Sequence, residues 1–120
     1  MSIQTIKIPL QSVEYTPFIK EGDTISEITF EFGATDVIDL TGATISMQLY
    51  QDGVQTLSID TSAGITIVSA KVFSIDEIVE NTLPCGINKG DLQIEFADNT
   101  IQTLFNVEYT ILKEYTITTT

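Results

Sequence analysis

Residues 39–53 read DLTGATISMQLYQDG: a turn, an alternating run and a second turn. In DLTG, the Asp39 or Thr41 side chain can bond the local backbone, and Gly42 permits a positive φ. Ile45, Met47 and Leu49 then alternate with Ser46, Gln48 and Tyr50, the period of a strand with one buried and one wet face. QDG closes a hairpin with Gly53 in the left-handed region, and VQTLSID at 54–60 returns as the partner strand. Nothing in the ribbon is reactive, so it reads as scaffold.

The same period runs outward in both directions. Ile6, Ile8 and Leu10 alternate with Lys7 and Pro9; Ile28, Phe30 and Phe32 alternate with Thr29 and Glu31. Leu92, Ile94 and Phe96 alternate with Gln93 and Glu95, and Val107, Tyr109, Ile111 and Lys113 continue the rhythm. Turn signals separate these runs: EGD at 21–23, TG at 41–42, QDG at 51–53, AG at 63–64, NKGD at 88–91 and ADN at 97–99. Such spacing predicts an all-β antiparallel sandwich or barrel of about seven to nine strands. Ile45, Met47, Leu49, Leu92, Ile94 and Phe96 should share one core, with Ser46, Gln48, Gln93 and Glu95 outside. Phe96→Ala should then cost about 3–5 kcal/mol. One segment departs from period two. In SIDEIVENTLPCG at 74–86, Ile75, Ile78, Val79 and Leu83 stand at helical spacing, which predicts a short helical turn near 75–83.

At 120 residues and 13.2 kDa the chain has the size of one domain, 1–120, with possible extended arms at 1–20 and 113–120. Its formal net charge is −12, from 5 Lys and Arg against 17 Asp and Glu. Nucleic-acid binding draws on cationic neutralisation of phosphates, so no nucleic-acid partner is expected. Acidity also opposes anionic lipid, and no apolar run is long enough to span a bilayer, so no membrane partner is expected. The start MSIQTIKIPLQS lacks the apolar block of a signal peptide.

Catalysis has little to work with. The chain has no histidine, which removes Ser-His-Asp and Cys-His sites and the usual zinc sets. Cys85 is a single cysteine beside Pro84 and Gly86 and reads as a small buried apolar residue. The carboxylate pairs Asp36/Asp39 and Asp76/Glu80 sit where turn and cap chemistry accounts for them. Asp36, Asp39, Asp52, Asp60 and Asp98 fall in expected loops or strand ends and are candidate calcium ligands, but none shows EF-hand spacing. Asx-turns are the simpler reading. Tyr15, Phe18, Tyr50 and Tyr115 are candidates for an aromatic sugar platform, in a chain without tryptophan. No enzyme activity, catalytic residue, metal or cofactor is expected.

EGDT at 21–24, DLTGATI at 39–45, YQDG at 50–53, SAGITI at 62–67, LPCG at 83–86 and GDLQIEFAD at 90–98 follow in one order. In this the chain resembles the immunoglobulin-like domain of tailed-phage virion proteins, such as the N-terminal domain of the siphophage baseplate upper protein. The resemblance covers roughly residues 20 to 112. It implies an Ig-like β-sandwich in a non-enzymatic bacteriophage virion structural protein, placed in head fibre, neck, tail or baseplate. The partners implied are other virion proteins, in a homo-oligomer or a hetero-oligomeric assembly. The implied location is the virion, after synthesis in the host cytoplasm without a signal peptide. Family domains usually precede a longer fibre-like or receptor-binding region, so an end at Thr120 suggests a free-standing head or tail accessory protein. A carbohydrate-binding or host-adhesion module is the alternative; a start at Met1 speaks against an Ig-like repeat excised from a bacterial surface protein. The β-prone arms suit strand addition to a neighbouring subunit, or pairing as edge strands of their own sandwich.

Overall fold

Two β-sheets pack on one apolar core in the computed structural model, which describes residues 4–8, 13–33 and 38–113. Among the described residues the chain runs β1 (Gln4–Ile8), β2 (Val13–Tyr15), β3 (Phe18–Lys20), β4 (Ile28–Phe32) and β5 (Thr44–Gln51). It continues through β6 (Val54–Asp60), β7 (Ile65–Ser69), β8 (Val72–Ile75), β9 (Gly86–Glu95) and β10 (Ile101–Leu112). One sheet has the order β1-β4-β8-β7; the other has β2-β10-β9-β5-β6, with β3 also on β10. The ten strands exceed the expected seven to nine because β2 and β3 are two short pieces along one edge. Pro17 lies between them. It has no N–H to give a ladder, but its carbonyl accepts from Thr110 N at 3.0 Å.

The Asp-Gly hairpin is in place. β5 and β6 are joined by Asp52 and Gly53 alone, with φ of 52° and 79°. Two positive φ values give the turn the twist that a two-residue hairpin needs, which is why Asp-Gly stands there. β5 pairs antiparallel with β9, setting Ile45 opposite Ile94 and Met47 opposite Leu92. These side chains and Leu49 are fully buried, while Gln48 and Glu95 face out. From the other sheet Phe30 stacks on Phe73 with ring centroids 5.1 Å apart, and Phe105 meets Phe30 at 5.1 Å from β10. The two sheets therefore join through aromatic rings. Phe96 lies just past β9 and is only partly buried, so it packs at the rim of the core and not within it.

Three expectations change. The helical turn near 75–83 is absent: Ile75 closes β8, and no helix occurs among the described residues. The backbone of this segment finds partners across the fold instead. Ile78 and Ile25 exchange bonds of 2.8 and 2.9 Å, Asp76 N donates to Gly64 O, and Asn81 N donates to Asp23 O. Glu80 has φ 49°, outside any right-handed helix. NKGD at 88–91 is likewise no turn but the middle of β9. Gly90 is there for space, because a Cβ on it would collide with the Gln48 carbonyl on β5. Third, the sheets are mixed and not wholly antiparallel: the N-terminal arm takes one of its two expected forms, pairing within its own chain, with β1 parallel to β4 and β2 and β3 parallel to β10. Residues 114–120 of the C-terminal arm lie outside the described residues.

Candidate functional site

Three turns hold an aspartate carboxylate by main-chain bonds. Asp39 Oδ1 accepts from Thr41 N at 2.9 Å, where DLTG leads into β5. Asp98 Oδ1 accepts from Thr100 N at 2.9 Å in the β9–β10 turn, where Asn99 takes φ 70°. Asp60 Oδ1 accepts from Ser62 N at 2.8 Å and Ala63 N at 3.2 Å after β6. The first two turns meet at one end of the sandwich and line an open hollow with Ile38 and Phe96. Gly42 brings them together, since a Cβ there would stand 3.3 Å from Ala97 Cβ. Hydrogen bonds from Thr41, backbone first, hold the Asp39 carboxyl below its ordinary value; Asp98 is lowered by Thr100, side chain first.

As metal ligands these residues do not converge. Among the described residues no three His, Cys, Asp or Glu side chains come close enough to hold an ion. Asp52 stands apart in the β5–β6 turn, and Asp36 lies outside the described residues. Of the carboxylate pair at 76 and 80, Asp76 Oδ1 accepts from Thr66 Oγ1 at 2.9 Å, and Glu80 is exposed on a left-handed turn.

The aromatic candidates separate in the same way. Phe18 on β3 is 70% exposed and Tyr50 on β5 is 40% exposed. β10 and β9 lie between their strands, so three inter-strand steps put them about 14 Å apart, too far for one sugar ring to stack on both. Tyr115 and the side chain of Tyr15 lie outside the described residues. Phe18 is instead abreast of Thr110, and Thr110 abreast of Ile87, which makes a short apolar row on the outer sheet face.

Near this row lies a second hollow, lined by Tyr50, Asp52, Cys85, Gly86, Ile87 and Lys89. Cys85 is exposed here, and its thiol donates to Glu21 Oε2 at 3.0 Å. That bond, then burial, pushes the thiol pKa up, so Cys85 is a protonated donor and a poor nucleophile. Its sequence neighbourhood suggested a packing residue inside the core. The structure places it outside.

Two buried asparagines, Asn81 and the Asn88 that the sequence offered only as part of the NKGD turn signal, hold this end together. Asn81 is buried; its Nδ2 donates to Asp23 O at 2.7 Å and to Lys20 O at 3.3 Å, and its Oδ1 accepts from Leu83 N. Asn88, also buried, donates from Nδ2 to Pro84 O at 3.0 Å. The sequence around each fits an exposed turn, so neither burial is legible there. The chemistry available at both ends is that of shape, turns and hydrogen bonds. No protein-family model matches the chain, and comparison with curated proteins finds no match either.

Proposed function

We propose that the chain is an immunoglobulin-like structural module of a tailed-phage virion, non-enzymatic and acting through contacts with other virion proteins. Strand order is the observation that carries the reading. Immunoglobulin sandwiches place strands A, B, E and D on one sheet and G, F and C, with C′, on the other. Lettered in chain order with β2 and β3 left out, β1-β4-β8-β7 become A-B-E-D and β10-β9-β5-β6 become G-F-C-C′, with the departure that β1 runs parallel to β4. Antibody domains join their sheets by a disulfide beside a tryptophan. This chain has one cysteine and no tryptophan, and Phe30, Phe73 and Phe105 fill that role. A sandwich carries many functions, so the phage assignment leans on the ordered motifs from EGDT to GDLQIEFAD.

The test is protein mass spectrometry on gradient-purified particles of a phage that encodes the chain. The chain is expected in fixed ratio to the major head or tail proteins. Complete particles without it, with the chain confined to soluble lysate, overturn the reading.

A further inference from the structure

Of the four sheet edges, one is closed by β1 on β4, and the other three differ in how well they can take a strand. β6 is an edge with a register irregularity opposite Leu49 and Tyr50, and its Asp60 backbone is bonded back to Ala63. β7 is an edge with an irregularity between Ile67 and Ser69. Bulges of this kind blunt an edge against a further strand. On the opposite side, β10 presents a regular edge over residues 105–112, and β2 and β3 of the same chain occupy it. Of these three, the edge best suited to strand addition is therefore filled by the chain's own N-terminal segment.

We propose that β2 and β3 form an exchangeable strand, so that residues 13–20 of one copy pair with β10 of a second copy. The partner is thus another copy of this chain, and the inference rests on reading the chain as an assembly module. The segment is attached to β10 by main-chain pairing and by Ile19 on the core, and β1 ahead of it pairs with β4; all of these contacts can be made equally in a second copy, so residues up to Lys20 exchange together. A boundary lies just after it. Asn81 holds the Asp23 carbonyl at 2.7 Å and Ile25 is bridged to Ile78, so departure of the segment breaks only the longer 3.3 Å bond from Asn81 to Lys20 O and leaves the chain from Asp23 onward anchored. Gly22, between those two carbonyls, has φ 78° and open space around it, which suits a hinge. Charge also permits the exchange. In a chain of net charge −12, the stretch VEYTPFIK carries Glu14 and Lys20 and brings no net charge onto its neighbour.

Phe18 and Thr110 are register partners, which puts their Cα atoms within disulfide reach across the seam. In a Cys85→Ser background, Phe18→Cys and Thr110→Cys are made in separate chains, mixed unfolded, refolded together and oxidised. Exchange predicts a disulfide-linked heterodimer that is several-fold more abundant than one formed by Phe18→Cys with an exposed Ser58→Cys control, and that grows with protein concentration. Equal yields with the two partners overturn the exchange. That result leaves the virion reading untouched, because the particle analysis tests that reading by itself.

Discussion

Gly90 on β9 lies so close to Gln48 on β5 that any Cβ at position 90 would meet the Gln48 carbonyl oxygen. This contact sets the spacing of the two strands that carry Ile45, Met47, Leu92 and Ile94 into the core. Gly90→Ala must push backbone against backbone, with no flexible side chain to yield. A loss of about 3 kcal/mol is expected, read as a lower urea midpoint at unchanged slope. A loss near zero would mean that the strands part easily there.

Phe30 and Phe96 separate centre from rim. Phe30 is wholly buried and stacks with Phe73 and Phe105, so Phe30→Ala is expected to cost about 3–5 kcal/mol. Phe96 is only partly buried beside the hollow, so Phe96→Ala should cost about 1–2 kcal/mol, less than its alternation in the sequence suggested. Chemical denaturation of the two variants in parallel gives the order directly. Equal losses would overturn the distinction.

Such residues show how far the fold was legible in the sequence. Alternation in 45–49, 92–95 and 107–111 was readable because one face of each strand is dry and the other wet. Asp-Gly at 52–53 was readable because few residues accept two successive positive φ values. NKGD misled because a glycine chosen for close approach has the same letter as a glycine chosen for a turn. SIDEIVENTLPCG misled because its backbone partners, Asp23, Ile25 and Gly64, are distant in sequence and leave no periodic trace. As for the candidate sites, each Asx-turn was visible singly, whereas the meeting of Asp39 and Asp98 at one end depends on which loops the two sheets bring together.

Those two aspartates set an acid limit. Both carboxyls lie below the ordinary 3.8 in the folded chain, so the unfolded chain takes up protons first as pH falls. Their stabilising contribution is complete above the ordinary value and is lost as pH falls through the lower folded values. Urea midpoints taken from about pH 6 to about pH 2 should fall over that window, and less steeply in Asp39→Asn and Asp98→Asn. Equal slopes in the variants and the parent would remove these turns from the acid response.

Cys85 gives the opposite dependence. Its thiol pKa is raised above the ordinary 9.0, first by the bond to Glu21, so the associated stability is present below that value and lost as pH rises through the folded one. Iodoacetamide at mildly alkaline pH should alkylate native Cys85 more slowly than the unfolded chain, despite its exposure. Glu21→Gln should speed the native reaction. An unchanged rate in that variant would show that the Glu21 carboxylate does not govern the thiol.

Removing the N-terminus tests what its strands contribute at home. Deleting residues 1–12 takes away β1 and uncovers the edge of β4, whereas deleting 1–20 also strips β2 and β3 from β10. The longer deletion loses Ile19, which packs against the core, and bares a regular edge beside Phe105, Val107 and Ile111. It should therefore melt lower than the shorter deletion and aggregate more readily, because an unpaired regular edge templates further strands. Asn81 still ties down Asp23, and Ile78 still bridges Ile25, so both deletions should keep a β-type circular dichroism spectrum in the cold. Thermal melts with light scattering decide the order. If the two deletions melt and scatter alike, β2 and β3 add nothing to β10 beyond what β1 adds to β4, and the seam along β10 is not where the N-terminal segment does its holding.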